Sequence, residues 1–256
     1  MKKPLFSLIY EDENIAAFNK NSGLAVCPDR WDLSKDRLDK LAEEFLKIEK
    51  LYTVHRIDRD TSGLVVFAKN SETHKILSLS FETRQIKKRY IAAVHGRPSW
   101  NETICDLPLI PNGNKQHLTI VDRFRGKKSL TAFRVLGSAG NYSIVEALPE
   151  TGRTHQIRIH LASLEHPIVC DELYGNTKPV MLSSIKRGWR GDSLEERPLL
   201  SRLGLHAARL SVPGCAGTGG ADLELEAPLP KDMAALIKQM EKAAGKAFIL
   251  DIEDPD

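Results

Sequence analysis

The chain has 256 residues, 41% of them hydrophobic and 28% charged, with a formal net charge of +3. Such a chain can bury a globular core without staples, and its mild positive excess permits a polyanionic partner without requiring one. Cys27, Cys105, Cys170 and Cys215 are scattered, with no C-x-x-C pair and no histidine at zinc spacing; thiols in a reducing cytosol are expected, not a disulfide framework or structural zinc. No apolar run of about 18 residues occurs and none follows the N-terminal lysines, so neither a transmembrane span nor a signal peptide is expected.

In chain order, residues 5–10 and 15–19 read as two strands around the turn Glu11-Asp-Glu-Asn14, and Lys20–Gly23 as a loop. Leu38, Leu41, Phe45 and Ile48 recur at helical spacing and predict an amphipathic helix over 35–49. The charged segment Val54–Gly63 leads into a short apolar run, Leu64–Ala68, expected as a buried strand. A helix follows through about residue 83, capped by Asn70 or Ser71, then a strand over Lys88–Val94 closed by Gly96. Residues 100–147 predict antiparallel strands that include 117–121, 130–136 and 142–148. Thr154 is expected to cap a helix reaching Ser163, and residues 176–202 read as an irregular surface segment. A strand pair over 205–212 and 222–226 and a helix over Lys231–Ala244 complete the chain. Strands and helices mix without a regular βαβ repeat, which predicts the α+β class. There is no P-loop, no G-x-G-x-x-G and no H-E-x-x-H motif, so nucleotide and zinc-protease chemistry have no local support.

Three segments concentrate chemistry. His55-Arg-Ile-Asp-Arg-Asp-Thr-Ser-Gly-Leu64 crowds charges and hydroxyls at the mouth of a core strand. It is either a charged turn or the seat of a carboxylate nucleophile activated among cations. Glu150-Thr-Gly-Arg-Thr-His-Gln-Ile-Arg-Ile-His160 reads either as a capped helical turn or as a polar site; His155 and His160, five apart, fit a shared metal poorly. Lys87-Lys-Arg-Tyr90 is either a solvated strand end or a phosphate-contacting edge with an aromatic face for a base.

Taken in order, these blocks resemble the RluA-type RNA pseudouridine synthases. The likeness also rests on His166-Pro-Ile168, Asp171-x-x-Tyr-Gly175 and Leu205-His-Ala207, and on the opening Tyr10-Glu-Asp-Glu and Lys20-Asn-Ser-Gly-Leu24. It runs from about residue 8 to residue 230. Three departures stand out. Asn21 occupies a position where the family usually has proline, and Glu165 and Cys170 occupy positions where it often has glycine. No extra N-terminal RNA-binding domain of the S4 type is expected.

The resemblance implies a pseudouridine synthase fold: a mixed, largely antiparallel sheet with flanking helices and a central catalytic cleft. One catalytic domain over 1–256 is expected, with a short C-terminal helix and tail at 231–256. The implied reaction isomerises specific uridines in ribosomal or transfer RNA, using no cofactor and no metal. Asp58 is the implied nucleophile, acting on the uracil ring or at the ribose. Arg158 resembles the arginine that pairs with it, and Tyr90 the tyrosine that stacks on the target base. Arg56 resembles the residue that fills the stack when the base is flipped out, and Lys88 and Leu205 are implied substrate contacts. His55, Thr61 and Ser62 are expected to shape the loop by local hydrogen bonds. Arg123, Arg125, Lys127, Lys128 and the 186–190 stretch are candidate phosphate contacts. A cytoplasmic monomer is expected, with RNA as partner, no membrane and no obligatory protein partner. Two other readings were weighed: a non-catalytic RNA-binding protein, and a hydrolase pairing Asp58 with Asp60 or Asp171, which would need one carboxyl with a raised pKa.

Overall fold

In the computed structural model of the chain, residues 4–28, 36–114, 118–214 and 222–250 are described. Residue 35 of the first expected helix, residue 117 of an expected strand, Cys215 and the tail beyond 250 lie outside them. The chain is α+β and divides into two compact units: residues up to Tyr90 with His206–Leu229, and Ile91–Leu205 with residues from Pro230 onward. Among the described residues no helix is long and apolar enough to cross a membrane.

In the first unit, β1 (Phe6–Glu11) and β2 (Ile15–Lys20) form an antiparallel hairpin. Its turn is set by Asp12, whose Oδ1 accepts the N–H groups of Asn14 and Ile15, both at 2.7 Å. Strand β4 (Ser62–Ala68) is buried at every residue, which is why it reads as a continuous apolar run and not as an alternation. It pairs antiparallel with β2 and with the short β3 (Tyr52–Thr53), and parallel with β11 (Leu205–Val212) at His206 and Ala207. The expected terminal pair forms as β11 with β12 (Leu223–Glu226). Gly63 is required by the parallel contact: a Cβ there would lie 2.2 Å from the Ala207 carbonyl oxygen, and its φ is +112°.

Helices α1 (Leu38–Leu46) and α2 (Ser71–Glu82) belong to the same unit, and α2 packs on β4. Asn70 caps α2 by accepting the Thr73 N–H at 2.8 Å. Helix α1 stops three residues short of the expected end, because Lys47 turns into the left-handed region. Its Phe45 is 56% exposed and meets the edge of Phe6, while Leu38 and Ala42 fill the core with Phe18 and Phe67.

Strand β5 (Lys87–His95) carries the chain into the second unit. There β10 (Tyr142–Pro149), β9 (Thr131–Ala139) and β6 (Glu102–Cys105) pair antiparallel in that order, and β7 (Leu109–Ile110) pairs with β8 (Ile120–Val121). Helix α4 (Lys231–Ala244) lies on β9. Residues 176–202 are irregular apart from a short 3-10 turn at Leu182–Ser184 and a bridge between Val180 and Leu200.

Helix α3 (Gln156–Ser163) corrects one expectation: its first capping position is His155 in the left-handed region, φ 55°, not Thr154. No side chain caps the helix; Gln156 instead braces the approach to it, its Oε1 accepting the Arg153 N–H at 3.0 Å. Its C-terminus accounts for one departure from the family pattern. Glu165 sits at φ 66°, its N–H reaching the Ala162 carbonyl and that of His166 the Leu161 carbonyl. This is the paired-bond helix stop that glycine ordinarily provides. Cys170, the second departure, also stands at positive φ, 56°. Glu165→Gly should therefore stabilise the protein by about 1 kcal/mol, the strain of a left-handed L-residue. The urea midpoint checks this; an unchanged or lowered midpoint would show that the turn carries no such strain.

Candidate active site

Residues 54–61 connect β3 to β4 and are organised by a set of backbone hydrogen bonds. The Asp58 carbonyl accepts the Thr61 N–H at 3.2 Å, closing a tight turn. The next carbonyl, of Arg59, accepts the Gly23 N–H at 2.9 Å and the Lys20 ammonium at 2.8 Å. Arg59 returns a bond from Nε to the Gly23 carbonyl at 3.0 Å. Lys20 ends β2 fully buried, and its ammonium also donates to the Asn21 carbonyl at 3.1 Å. A buried cation of this kind is tolerable only with such partners, so the loops at 20–24 and 57–62 are fastened to each other. Asn21 does what proline could not: its N–H donates to the Leu5 carbonyl at 2.9 Å and its side chain to that of Pro4 at 2.6 Å.

The hydroxyls divide. Ser62 Oγ lies 3.0 Å from His206 Nδ1, and His206 Nε2 lies 3.1 Å from the Ala227 carbonyl. Thr61 does not behave as expected: its hydroxyl is buried without a hydrogen-bond partner, and only its backbone shapes the loop. His55 is structural. Its Nε2 accepts the Val66 N–H at 3.0 Å and its ring stacks on Phe81 at 4.5 Å. Burial, and then the Lys88 charge, bring its pKa down to about 3, so it is the neutral acceptor that this bond needs.

Tyr90 and Lys88 lie two apart on β5 and so share a face. The Tyr90 phenol is pushed well above its ordinary value by burial and, next, by the Asp58 charge. The phenol therefore stays protonated at neutral pH. Burial, followed by the nearby Arg84, lowers the Lys88 ammonium to about 8. Arg56 is exposed on the same loop as Asp58.

In the second unit Arg158 projects from α3 into a buried bidentate pair: Nε to Asp171 Oδ2 at 2.8 Å and Nη2 to Oδ1 at 2.7 Å. The fully buried Asp171 also accepts the N–H groups of Leu173 at 2.9 Å and Tyr174 at 3.1 Å. Burial pushes this carboxyl up, but the Arg158 hydrogen bonds and charge, with those N–H groups, outweigh it and hold it below the ordinary range. A hydrolase that used Asp171 as a protonated acid would need the opposite shift. The Arg158 guanidinium lies 5.3 Å from the centre of the Tyr174 ring, whose hydroxyl meets His155 Nδ1 at 2.9 Å and accepts the Thr119 N–H at 3.1 Å. Asp171 and Tyr174 are the positioning pair for which the sequence offered a signal, the Asp-x-x-Tyr-Gly spacing, but no role. Gln156 is saturated by Thr151, Arg153, Leu130 and Thr131, and His160 sits between Thr131 Oγ1 and the Leu107 carbonyl, both at 3.0 Å. Among the described residues no cluster of His, Cys, Asp and Glu is arranged to hold a metal ion. Leu205 begins β11 with its side chain buried.

Part of the site so described lies within the region where the chain matches a family, and Asp171, Tyr174 and Leu205 lie beyond it. Residues 14–163 match RNA pseudouridylate synthase, a span that holds Arg56, Asp58, Lys88, Tyr90 and Arg158. The chain is 32% identical over 241 residues to ribosomal large subunit pseudouridine synthase D of Zymomonas mobilis, covering 91% of this chain and 72% of that protein. It is 37% identical over 214 residues to the dual-specificity RNA pseudouridine synthase RluA of Vibrio vulnificus, covering 81% and 78%. Among solved structures, human RNA pseudouridylate synthase domain containing 1 superposes with a TM-score of 0.68 at 25% identity, covering 98% of this chain and 97% of that one. Human RNA pseudouridylate synthase domain containing 4 shares the fold, with a TM-score of 0.69 at 24% identity over 92% and 93%. The chain belongs to the RNA pseudouridylate synthase family.

Proposed function

We propose that the chain isomerises specific uridines of ribosomal or transfer RNA to pseudouridine, with Asp58 as the nucleophile acting on a base flipped out of its stack. The observation that supports this reading is the fastened loop of Asp58, whose neighbouring Arg59 carbonyl accepts the Gly23 N–H and the Lys20 ammonium, in a chain of the RNA pseudouridylate synthase family. The glycosidic bond breaks, the uracil turns, and its C5 joins the ribose while a proton moves from C5 to the ring nitrogen. Atoms and charge balance without a co-reactant. Asp58 attacks either the ring or the ribose, and either role requires the carboxylate form. Tyr90 offers a ring face to the uracil and a hydroxyl within the site. Arg56, exposed beside the nucleophile, fills the place vacated in the RNA stack. Arg158 is the catalytic arginine in this reading, its guanidinium plane set by Asp171. Lys88 and Leu205 are read as substrate contacts. The protein is read as a cytoplasmic monomer whose partner is RNA.

Lys88 gives a pH dependence with a definite sign. Its ammonium is lowered to about 8, so the charge is present below that pH and is lost as pH rises through it. If Lys88 contacts a phosphate, RNA affinity should fall between about pH 7 and about pH 9, whereas Lys88→Arg should bind evenly across that interval, because a guanidinium does not titrate there. Equal pH profiles for the two proteins would remove Lys88 from the RNA contacts.

The nucleophile itself is tested by a pair of substitutions. Asp58→Asn removes the charge and the reacting oxygen while keeping the shape, so pseudouridine formation should drop below detection with RNA binding little changed. Asp60→Asn, on the exposed side of the same turn, should retain substantial activity. Circular dichroism, RNA affinity and single-turnover isomerisation are read for each. A folded Asp58→Asn protein that still makes pseudouridine near the parental rate would end the assignment.

A further inference from the structure

The second unit holds an apolar ring where solvation alone would not put one. Phe124 is 99% exposed. Its turn is tightly built. Asp122 Oδ1 accepts the N–H groups of Phe124 at 3.0 Å and Arg125 at 2.9 Å, and Oδ2 accepts Arg125 Nε at 2.9 Å. The Gly126 N–H closes onto the Asp122 carbonyl at 2.9 Å, and a Cβ on Gly126 would lie 2.3 Å from that oxygen. The turn grips β7 through the Asp122 N–H to the Pro108 carbonyl at 3.0 Å and a reciprocal pair between Lys127 and Leu109. A turn held at both ends keeps the ring from folding back onto the protein.

Its surroundings are cationic: Arg123, Arg125, Lys127 and Lys128 are all exposed. The turn is also tied to the segment that carries Arg158. Arg153 Nε donates to the Lys128 carbonyl at 3.3 Å, the Leu130 N–H to Thr151 Oγ1 at 3.0 Å, and Gln156 Nε2 to the Leu130 carbonyl at 3.0 Å.

We propose that the 122–128 turn is a docking point for unpaired nucleotides of the RNA, with Phe124 stacking on a base and the flanking cations taking the adjacent phosphates. Charge complementarity selects a polyanion, and the ring selects one that offers an open π face, which single-stranded RNA has and duplex RNA hides. The inference deepens the reading of the chain as an RNA-modifying enzyme and rests on it. It places a single-stranded stretch of substrate beside the element that bears Arg158.

The test uses the full chain and three probes: a single-stranded oligouridylate, an RNA duplex of equal length, and inorganic polyphosphate. Stacking on one base is worth about 1–3 kcal/mol, so Phe124→Ala should weaken oligouridylate binding by roughly 5- to 150-fold. It should leave duplex and polyphosphate binding unchanged. Phe124→Trp should restore the oligouridylate affinity and add indole fluorescence to that of Trp31, Trp100 and Trp189, and the added signal, read as the difference from the parent, should be quenched by oligouridylate and not by polyphosphate. Oligouridylate affinity in Phe124→Ala equal to the parent's would overturn the proposal, and is what a ring kept for a protein partner predicts. Equal losses on all three probes, or a parent that does not bind oligouridylate, would overturn it as well. Pseudouridine formation by the parent on total cellular RNA is measured alongside. Its absence would sink the catalytic reading, whereas a null result at Phe124 in a parent that makes pseudouridine sinks only the docking turn.

Discussion

An ammonium removed wholly from water must find oxygen inside the protein, and Lys20 finds it in the backbone of the loop that carries Asp58. Much of the first unit can be understood from that bond. It fixes the carbonyl directly after Asp58, and with the Gly23–Arg59 pair it closes two loops into one body. On the other side of Asp58, Ser62 and Gly63 enter a strand pinned to β11 by the His206 contact and by a glycine too close to Ala207 for any side chain. Asp58 therefore stands between two anchors, on a stretch of backbone that is already organised. Reactive groups held this way lose little entropy at the moment of reaction.

The second unit applies the same principle with a different chemistry. Arg158 is oriented by a carboxylate whose own ionisation the arginine secures, and the peptide N–H groups of Leu173 and Tyr174 complete the shell. Removing either partner would break a buried bidentate pair, which is far more costly than the pair is stabilising. The Gln156 network then ties the start of α3 to the beginning of β9 through the Leu130 carbonyl and the Thr131 hydroxyl.

Much of this was legible in the sequence, for physical reasons that differ from place to place. The α+β class, the hairpin, the buried strand after Gly63 and the helix capped by Asn70 followed from local pattern, because each is decided by neighbours in sequence. The ordered motif blocks pointed to the family, which the matched span and the relatives bear out. What was not legible rests on bonds between distant residues. Nothing in Lys20 announced a partner thirty-nine positions away. Thr154 had the right side chain to cap α3, but the cap falls one residue later, on His155, in a left-handed conformation and bonded to Tyr174. Glu165 and Cys170 stood out in the sequence only as departures from glycine, and their positive φ values show why glycine is preferred there. The division into two units, with β5 and β11 passing between them, has no mark in composition.

The account as a whole depends on the claim that Asp58 acts because its loop is preorganised, and Lys20→Met tests that most directly. The substitution keeps the buried stem and deletes the ammonium that holds the Arg59 carbonyl. With folding confirmed by circular dichroism and RNA affinity measured in parallel, single-turnover pseudouridine formation should fall by about a hundredfold, the scale expected when a reacting group is misplaced by about 1 Å, while RNA affinity stays near the parent's. A folded Lys20→Met protein that isomerises its RNA at the parental rate would contradict the account.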